Sequence, residues 1–270
     1  MDIIKKLAQE LAIKEEQAKA AVQLIDEGNT IPFIARYRKE MTGALNDETL
    51  RNLHERLLYL RNLEEKKEQV INAITEQDKM TDELKKKILS AETLVAVDDL
   101  YRPYRPKKQT RATKAKEKGL EPLANILLLQ ATSKSMEEEA QSFVNEAKGV
   151  ANVKDALAGA KDIIAEMIAD KADYRKSIRN CTMKQGRLVV KAKDEKAESV
   201  YEMYYDFSEE LSKITGYRVL AINRGEKEKF LTVKVEAPDA QIVNALNKTM
   251  VQDNPNTKTL MEETVLDAYN

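Results

Sequence analysis

Residues able to make chemical contacts outside the chain are concentrated between positions 98 and 118, which read DDLYRPYRPKKQTRATKAKEK. This segment, the basic strap, holds eight cations and three acids, a local excess of five positive charges. The cations are Arg102, Arg105, Lys107, Lys108, Arg111, Lys114, Lys116 and Lys118. Lysine and arginine bind nucleic-acid phosphates through charge and without reading the base sequence. The strap is therefore a candidate polyanion-binding segment.

Two tyrosines and two prolines are interleaved with these cations. Proline fixes its own φ and disfavours the helical region for the residue before it, so Arg102 and Arg105 are expected outside regular helix, on an extended connector. Tyrosine rings stack on unpaired bases, which requires no sequence code. We predict that the strap contacts nucleic acid through Tyr101, Tyr104, Arg102, Arg105, Lys107, Lys108, Arg111 and Lys114.

The same residues have a structural interpretation. Arginines flanked by proline and tyrosine are often satisfied inside a protein, with their stems packed on apolar surface and their charged heads paired. The strap would then tie neighbouring helices together, with its tyrosines buried. In that case the region positions other nucleic-acid-binding domains or docks on RNA polymerase. Both interpretations are compatible with the sequence.

A second, smaller basic cluster follows two short predicted helices near the N-terminus. Gly28 lies where a C-cap glycine belongs, and the next helix carries Arg36, Arg38 and Lys39 at its end. Helix, short turn and helix outline a helix-turn-helix, although Pro32 early in the second helix weakens the match to DNA-reading versions. Arg36, Arg38 and Lys39 are candidate nucleic-acid contacts; the alternative is a solvated face on two core helices.

The sequence contains no set of residues with catalytic spacing. It lacks the glycine-rich loops that hold phosphate and the HExxH and GxSxG motifs. Asp98 and Asp99 are adjacent, and adjacent residues on a helix point in different directions, so they make a poor metal site. His54 and Cys181 are each the single residue of their type. We predict a binding protein, not an enzyme, with no metal, no cofactor and no small-molecule substrate.

Composition restricts any nucleic-acid contact to local patches. The 270 residues include 45 Lys and Arg and 46 Asp and Glu, so no global field attracts polyanions. A single cysteine suits a reducing compartment. No apolar run approaches the ~20 residues of a membrane helix, and the N-terminus lacks the layout of a signal peptide. We therefore expect a soluble, cytoplasmic protein without membrane contact.

The predicted fold class is mainly α, a multi-helix scaffold with a small antiparallel β insertion at about 187–235. Asn46 is a good N-cap for a helix that runs to about Gln77. Its apolar stripe fails across Glu64–Glu68 and then resumes, which indicates a helix that packs different neighbours along its length. Gly159 lies inside another predicted helix and indicates close approach of a neighbouring helix.

Apolar and polar residues alternate in three predicted strands of the insertion. The second and third are interpreted as a hairpin that turns at Gly225, and two helices are expected between the first and second strands. The strands are 187–193, 217–223 and 229–235, and the helices are 197–205 and 208–214.

We expect four parts along the chain. They are an N-terminal helix-turn-helix-like bundle with the long helix (1–78), a helical scaffold carrying the strap (79–180), a small α+β subdomain (181–238) and the start of a helical region (239–270). The last predicted helix has no C-terminal Gly or Pro, and its apolar stripe stays open at Asn270. We interpret the chain as the front part of a longer protein.

Five segments of the sequence resemble the bacterial Tex family of transcription accessory proteins, in the same order and across nearly the whole chain. They are Thr30–Gly43 (TIPFIARYRKEMTG), Val97–Ala112 (VDDLYRPYRPKKQTRA), Glu117–Ala124 (EKGLEPLA), Ala156–Ile164 (ALAGAKDII) and Tyr217–Gly225 (YRVLAINRG). Arg102 departs from the resemblance, since an apolar residue is expected there.

The resemblance implies a helical scaffold with a helix-turn-helix-like N-terminal unit. In the complete family members a ribonuclease-H-like domain, helix-hairpin-helix modules and an S1 RNA-binding domain follow. The resemblance also implies a transcription-related role and RNA or DNA as partner, with the main contacts made by the S1 domain of the full-length protein. Two functions follow: a scaffold that itself binds nucleic acid, or a scaffold that positions other domains or contacts RNA polymerase.

Overall fold

The computed structural model describes residues 2–270, whose contacts divide the chain into two units, Met1–Tyr104 and Arg105–Asn270. Both units are built mainly from helices, and a small antiparallel sheet belongs to the second. The predicted fold class is therefore confirmed. The finer four-part division expected from the sequence stays a prediction.

The first unit contains six α-helices and a terminal 3-10 turn. The helices are α1 (Ile3–Glu10), α2 (Glu15–Asp26), α3 (Ile31–Tyr37), α4 (Asp47–Thr75), α5 (Asp82–Ser90) and α6 (Leu94–Tyr101), and the turn is Arg102–Tyr104. Gly28 follows α2 with φ +85°, the left-handed conformation expected of it. The side chain of Asn46 accepts a hydrogen bond from the Thr49 amide at 2.7 Å, which confirms the predicted start of α4.

Helix α4 contributes to two separate apolar clusters. Its first half, from Leu50 to Leu60, packs with α1, α2 and α3, and its second half, from Leu63 to Ile74, packs with α5 and α6. Within the second half the helix buries Lys67, whose Nζ donates to the Leu89 carbonyl at 2.9 Å and pairs with Glu64. The broken stripe thus belongs to a helix with different neighbours along its length, as predicted.

The second unit packs its helices around α10. Its elements are α7 (Arg111–Glu117), α8 (Glu121–Leu129), α9 (Met136–Gln141), α10 (Val153–Ala169), α11 (Ala172–Gln185), β1 (Arg187–Ala192), β2 (Asp206–Glu210), α12 (Gly216–Lys227), β3 (Leu231–Glu236), α13 (Asp239–Met250) and α14 (Lys258–Tyr269). Gly159 confirms the expected close approach: a Cβ there would lie 2.3 Å from Cδ1 of Leu120 and 3.2 Å from Cβ of Ala115. This contact brings α7 against α10.

The sheet has the order β2-β1-β3, and both pairs are antiparallel. Val190 at its centre is fully buried and lies opposite Phe207 on one side and Val233 on the other. The predicted strands at 187–193 and 229–235 are confirmed with small shifts at their ends.

Four predictions for this region are wrong: one strand, two helices and the hairpin turn. Residues 217–223, predicted as a strand, belong to helix α12. Residues 208–214, predicted as a helix, overlap strand β2. Residues 197–205, also predicted as a helix, contain only a 3-10 turn at Glu202–Tyr204. Short apolar runs fit both periods, and the buried Ile222 and Gly225 follow helical spacing once α12 packs against β3. Gly225 makes no hairpin turn: it lies inside α12, where a Cβ would be 2.6 Å from Cδ1 of Leu231.

Candidate nucleic-acid interface

The basic strap is less extended than its prolines predict. Arg102 has helical dihedral angles (φ −50°, ψ −44°) at the end of α6 and continues into the 3-10 turn. From Arg111 onward the strap is helix α7, because the Thr110 side chain caps it and Ala112 and Ala115 are buried against the core. Within the strap, only residues 105–110 and the last residue, Lys118, lie outside a helix. The tertiary packing of its two ends therefore limits the irregular part of the strap.

The strap tyrosines are packed against the protein. Tyr101 and Tyr104 are half-buried beside the apolar cluster that contains Leu63 and Val97. The carbonyl of Tyr104 also accepts a hydrogen bond from the Gln77 side chain at 3.0 Å. Their rings pack against this cluster and stay partly exposed, whereas the structural interpretation expects them to be buried.

Two strap cations are bound to carboxylates within the second unit. Lys107 pairs with Asp170, the residue directly after α10, and lies 3.2 Å from Glu166 on that helix. Arg111 lies 2.9 Å from Asp267 on α14 and 3.4 Å from Asp162 on α10. These contacts join α7 and the loop before it to two other helices.

Burial raises the pKa of Asp162 above its usual range, and the opposing field of Arg111 does not fully offset this. The carboxylate is thus partly withdrawn from water, which favours its neutral form. The guanidinium of Arg111 thus already faces two carboxylates of its own unit, Asp162 and Asp267.

Other strap cations face solvent. Lys108 and Lys114 are exposed, and neither forms an ion pair or side-chain hydrogen bond with another described residue. Arg102 and Arg105 are also exposed, and each additionally makes a contact with its neighbours. The boundary between the two units falls between Tyr104 and Arg105, so the two arginines belong to different units.

The second basic cluster lies at the end of α3. Arg36, Arg38 and Lys39 are exposed and form no ion pair with the residues that the structure describes. Arg38 donates to the Tyr37 carbonyl at 3.2 Å, and its guanidinium lies 5.1 Å from the centre of the Phe33 ring. The cluster borders an open surface hollow of about 590 Å³.

Sequence reasoning missed Tyr37 as a candidate, although it named the three cations beside it. Phe33, Ile34 and Tyr37 all have the pattern of apolar helix positions, but Ile34 is buried and Tyr37 is 61% exposed. Phe33 and Tyr37 lie four residues apart and therefore share a face of α3, and their rings are 5.3 Å apart. Two aromatic residues at this spacing, immediately next to a basic cluster, are the sequence signal that indicates Tyr37 as a candidate contact.

Two features are absent from residues 2–270. No group of three or more His, Cys, Asp and Glu side chains is placed to hold a metal ion. None of the helices described is long and apolar enough to cross a membrane.

Comparison with known families and proteins assigns the chain to a family. A model described as Tex-like protein N-terminal domain matches residues 1–75, and one described as Tex central region-like matches residues 131–266. "Uncharacterized protein YdcI" of Bacillus subtilis is 41% identical over 97% of this chain and 37% of its own length.

Two further relatives carry descriptive names. "Transcriptional accessory protein Tex" of Neisseria gonorrhoeae is 40% identical over 87% of this chain and 31% of its own length. "S1 RNA-binding domain-containing protein 1" of Homo sapiens is 32% identical over 88% of this chain and 24% of its own length. The chain spans about a third of the length of the bacterial relatives. The resemblance seen in the sequence is confirmed, and the chain belongs to the Tex family of proteins.

Proposed function

We propose that this chain is a scaffold of a Tex-family transcription accessory factor and that it contacts RNA or DNA without strong sequence specificity. The names of its relatives support a nucleic-acid-associated role. The observation that carries the proposal is a set of exposed cations with no acidic partner among the described residues. These are Arg36, Arg38 and Lys39 in the first unit and Lys108 and Lys114 in the second.

An unpaired surface cation is available to a phosphate at little cost. It gives up only water and counterions, whereas Lys107 or Arg111 would first have to give up its contact with a carboxylate of the chain. Such contacts carry no base code, so they supply affinity and positioning without sequence preference. Within the strap, we therefore assign phosphate contact to Lys108 and Lys114. Arg102 and Arg105 are exposed but also interact within the chain, so they stay predicted contacts on their exposure alone.

Charge reversal tests the proposal. The variants are Arg36→Glu with Lys39→Glu, and Lys108→Glu with Lys114→Glu. Their matched control is Lys85→Glu with Lys86→Glu on α5, two exposed lysines that make the same change in net charge. Affinity for a labelled single-stranded RNA is measured by fluorescence anisotropy at several salt concentrations near about 0.15 M, where charges more than about 8 Å apart are screened.

We expect each reversal to lower affinity about tenfold and to reduce the salt slope by about 0.7 for each lost phosphate contact. The control pair should leave both quantities unchanged. Equal losses in all three variants would mean that only net charge matters. Unchanged affinity and slope in both test variants would remove these cations from the interface.

A second candidate function is structural, and the carboxylate contacts of Lys107 and Arg111 favour it. These contacts hold α7 and its preceding loop on α10 and α14. In this role the chain positions the nucleic-acid-binding domains of a longer protein or docks on RNA polymerase. Binding of purified RNA polymerase, undiminished in the two test variants, would support it.

We further propose that the chain acts in the cytoplasm by binding and performs no reaction. Labelled RNA incubated with the chain and Mg²⁺ should stay intact. Cleavage that requires Asp98 and Asp99 would contradict this. Asp98 lies 3.4 Å from the ammonium of Lys66, an arrangement that pairs its charge within the first unit.

A further inference from the structure

Tyr37 presents an aromatic ring to solvent at the end of α3. It is 61% exposed, and its ring is tilted by 45° against that of Phe33 at 5.3 Å between centroids. Buried aromatic rings contribute most to stability, so a ring left this open gains little for the fold. Because Tyr37 is anchored on a helix and leans on Phe33, it is held in place without being covered.

The surface beside Tyr37 is concave. The hollow is open to solvent, has a volume of about 590 Å³ and is lined mainly by charged side chains. Tyr37 and Met41 supply apolar surface, and Met41 is 51% exposed. A flat, apolar group with a polar edge, such as a nucleobase, matches this lining.

Cations surround the aromatic ring on the same short segment. Arg36, Arg38 and Lys39 all line the hollow, together with the acids Glu27 and Glu40. Arg38 rests over the Phe33 ring at 5.1 Å, a cation–π contact that restrains its side chain. Positive charges beside an exposed ring are the combination by which proteins bind single strands, with phosphates on the cations and a base on the ring.

We propose that the end of α3 binds single-stranded nucleic acid, with Tyr37 stacking on one base while Arg36 and Lys39 contact flanking phosphates. This inference rests on the proposed function and specifies its substrate class. The rings of Tyr101 and Tyr104 are packed into an apolar cluster, so Tyr37 takes the stacking role that the sequence assigned to them. In a duplex each base is already stacked on its neighbours, so no base face is free to stack on the ring of Tyr37.

Binding of matched oligonucleotides by Tyr37 variants tests the inference. Tyr37→Leu removes the ring, and Tyr37→Phe keeps it without the hydroxyl. The matched control is Tyr217→Leu, which removes a tyrosine that is 66% exposed and also lies beside an arginine. The probes are a labelled single strand of about ten nucleotides and a duplex of the same length. Thermal unfolding of each variant verifies that the fold is intact.

We expect Tyr37→Leu to weaken single-strand binding at least about fivefold with no change in the salt slope, because stacking releases no counterions. Duplex binding should be unchanged, and Tyr37→Phe and Tyr217→Leu should bind as the natural chain does. Unchanged single-strand affinity in Tyr37→Leu overturns the inference, and so does an equal loss for duplex. Either result would overturn the stacking role of Tyr37 only. The proposed function is tested separately, by the affinity of the variant Arg36→Glu with Lys39→Glu.

Discussion

The strap around Arg111 and the end of α3 have similar composition but different surroundings. Both segments place cations beside aromatic residues. In the second unit, Lys107 and Arg111 face carboxylates on α10 and α14. In the first unit, Arg36 and Lys39 face no carboxylate within ion-pair distance among the described residues. The richer sequence motif is thus the more internally satisfied, and the smaller cluster keeps its charges available.

The difference shows that charge counted along the chain does not measure charge available to a ligand. The acids that pair with Lys107 and Arg111 lie far away in sequence: Asp170 is 63 positions from Lys107, and Asp267 is 156 positions from Arg111. No local window includes them. The same holds for aromatic residues, since packing covers Tyr104 and leaves Tyr37 open.

Removing one paired cation should have the largest effect. Lys107→Met leaves Glu166 and Asp170 near each other without their shared ammonium, and the Asp170 side chain is only 9% exposed. We expect the free energy of unfolding to fall by about 1–3 kcal/mol, as for a partly buried ion pair that loses one partner. Denaturant unfolding followed by circular dichroism measures it.

Two unpaired lysines provide the controls for that change. Lys108→Met, its sequence neighbour, and Lys39→Met, from the first unit, should each change the unfolding free energy by less than about 0.5 kcal/mol. A loss in Lys39→Met as large as in Lys107→Met would erase the distinction between the two regions.

Removing acids should make the strap resemble the α3 cluster. Asp162→Asn with Asp267→Asn leaves Arg111 without its carboxylates, and its side chain is already 69% exposed. We expect nucleic-acid affinity to rise about threefold and the salt slope to steepen by about 0.7, one additional phosphate contact. Anisotropy titrations with single-stranded RNA measure both, and an unchanged slope would show that these acids do not restrain Arg111.

The effect of Asp162 on the stability of the protein follows from the pKa of its carboxyl. The pKa is raised above its ordinary value of 3.8 by burial, so the folded protein binds a proton more readily than the unfolded chain. The stabilisation that such a carboxyl gives the protein is lost as pH rises through the folded pKa. At neutral pH its buried charge lowers the free energy of unfolding. Asp162→Asn alone removes this cost together with the contact to Arg111, so it should not lower the free energy of unfolding at neutral pH, and it should flatten the pH dependence of unfolding just above 3.8.

The smallest effect is expected at a partly exposed ion pair of the first unit. Arg56 donates to Glu10 at 2.8 Å, and this hydrogen bond lowers the pKa of Glu10 below its ordinary value of 4.5. Its stabilisation is present above pH 4.5 and is lost as pH falls through the lowered pKa. Glu10→Gln should cost less than about 1 kcal/mol at pH 7 and nothing at low pH.

Unfolding of Glu10→Gln and of Glu55→Gln, an exposed residue on α4, at both pH values measures this effect. An equal response in both variants would show that the ion pair with Arg56 contributes nothing specific.

Local chemistry accounts for much of the fold. Asn46 caps α4 because its side chain reaches an amide three residues ahead, and Gly28 ends α2 because it adopts positive φ without a steric cost. Both depend on immediate neighbours, so the sequence alone predicts them. Residues 217–223 gave the wrong prediction because alternation over so few positions fits strand and helix, and contact with β3 decides between them.

By itself the sequence determined the family, the helical class, the caps and the presence of unusually basic segments, since each is written in adjacent residues. Only the tertiary structure decided which cations are available, because an ion pair depends on where α10 and α14 place their acids. It also decided that Tyr101 and Tyr104 pack in a core and that Tyr37 does not. Burial and pairing are properties of distance in space, and distance along the chain does not report them.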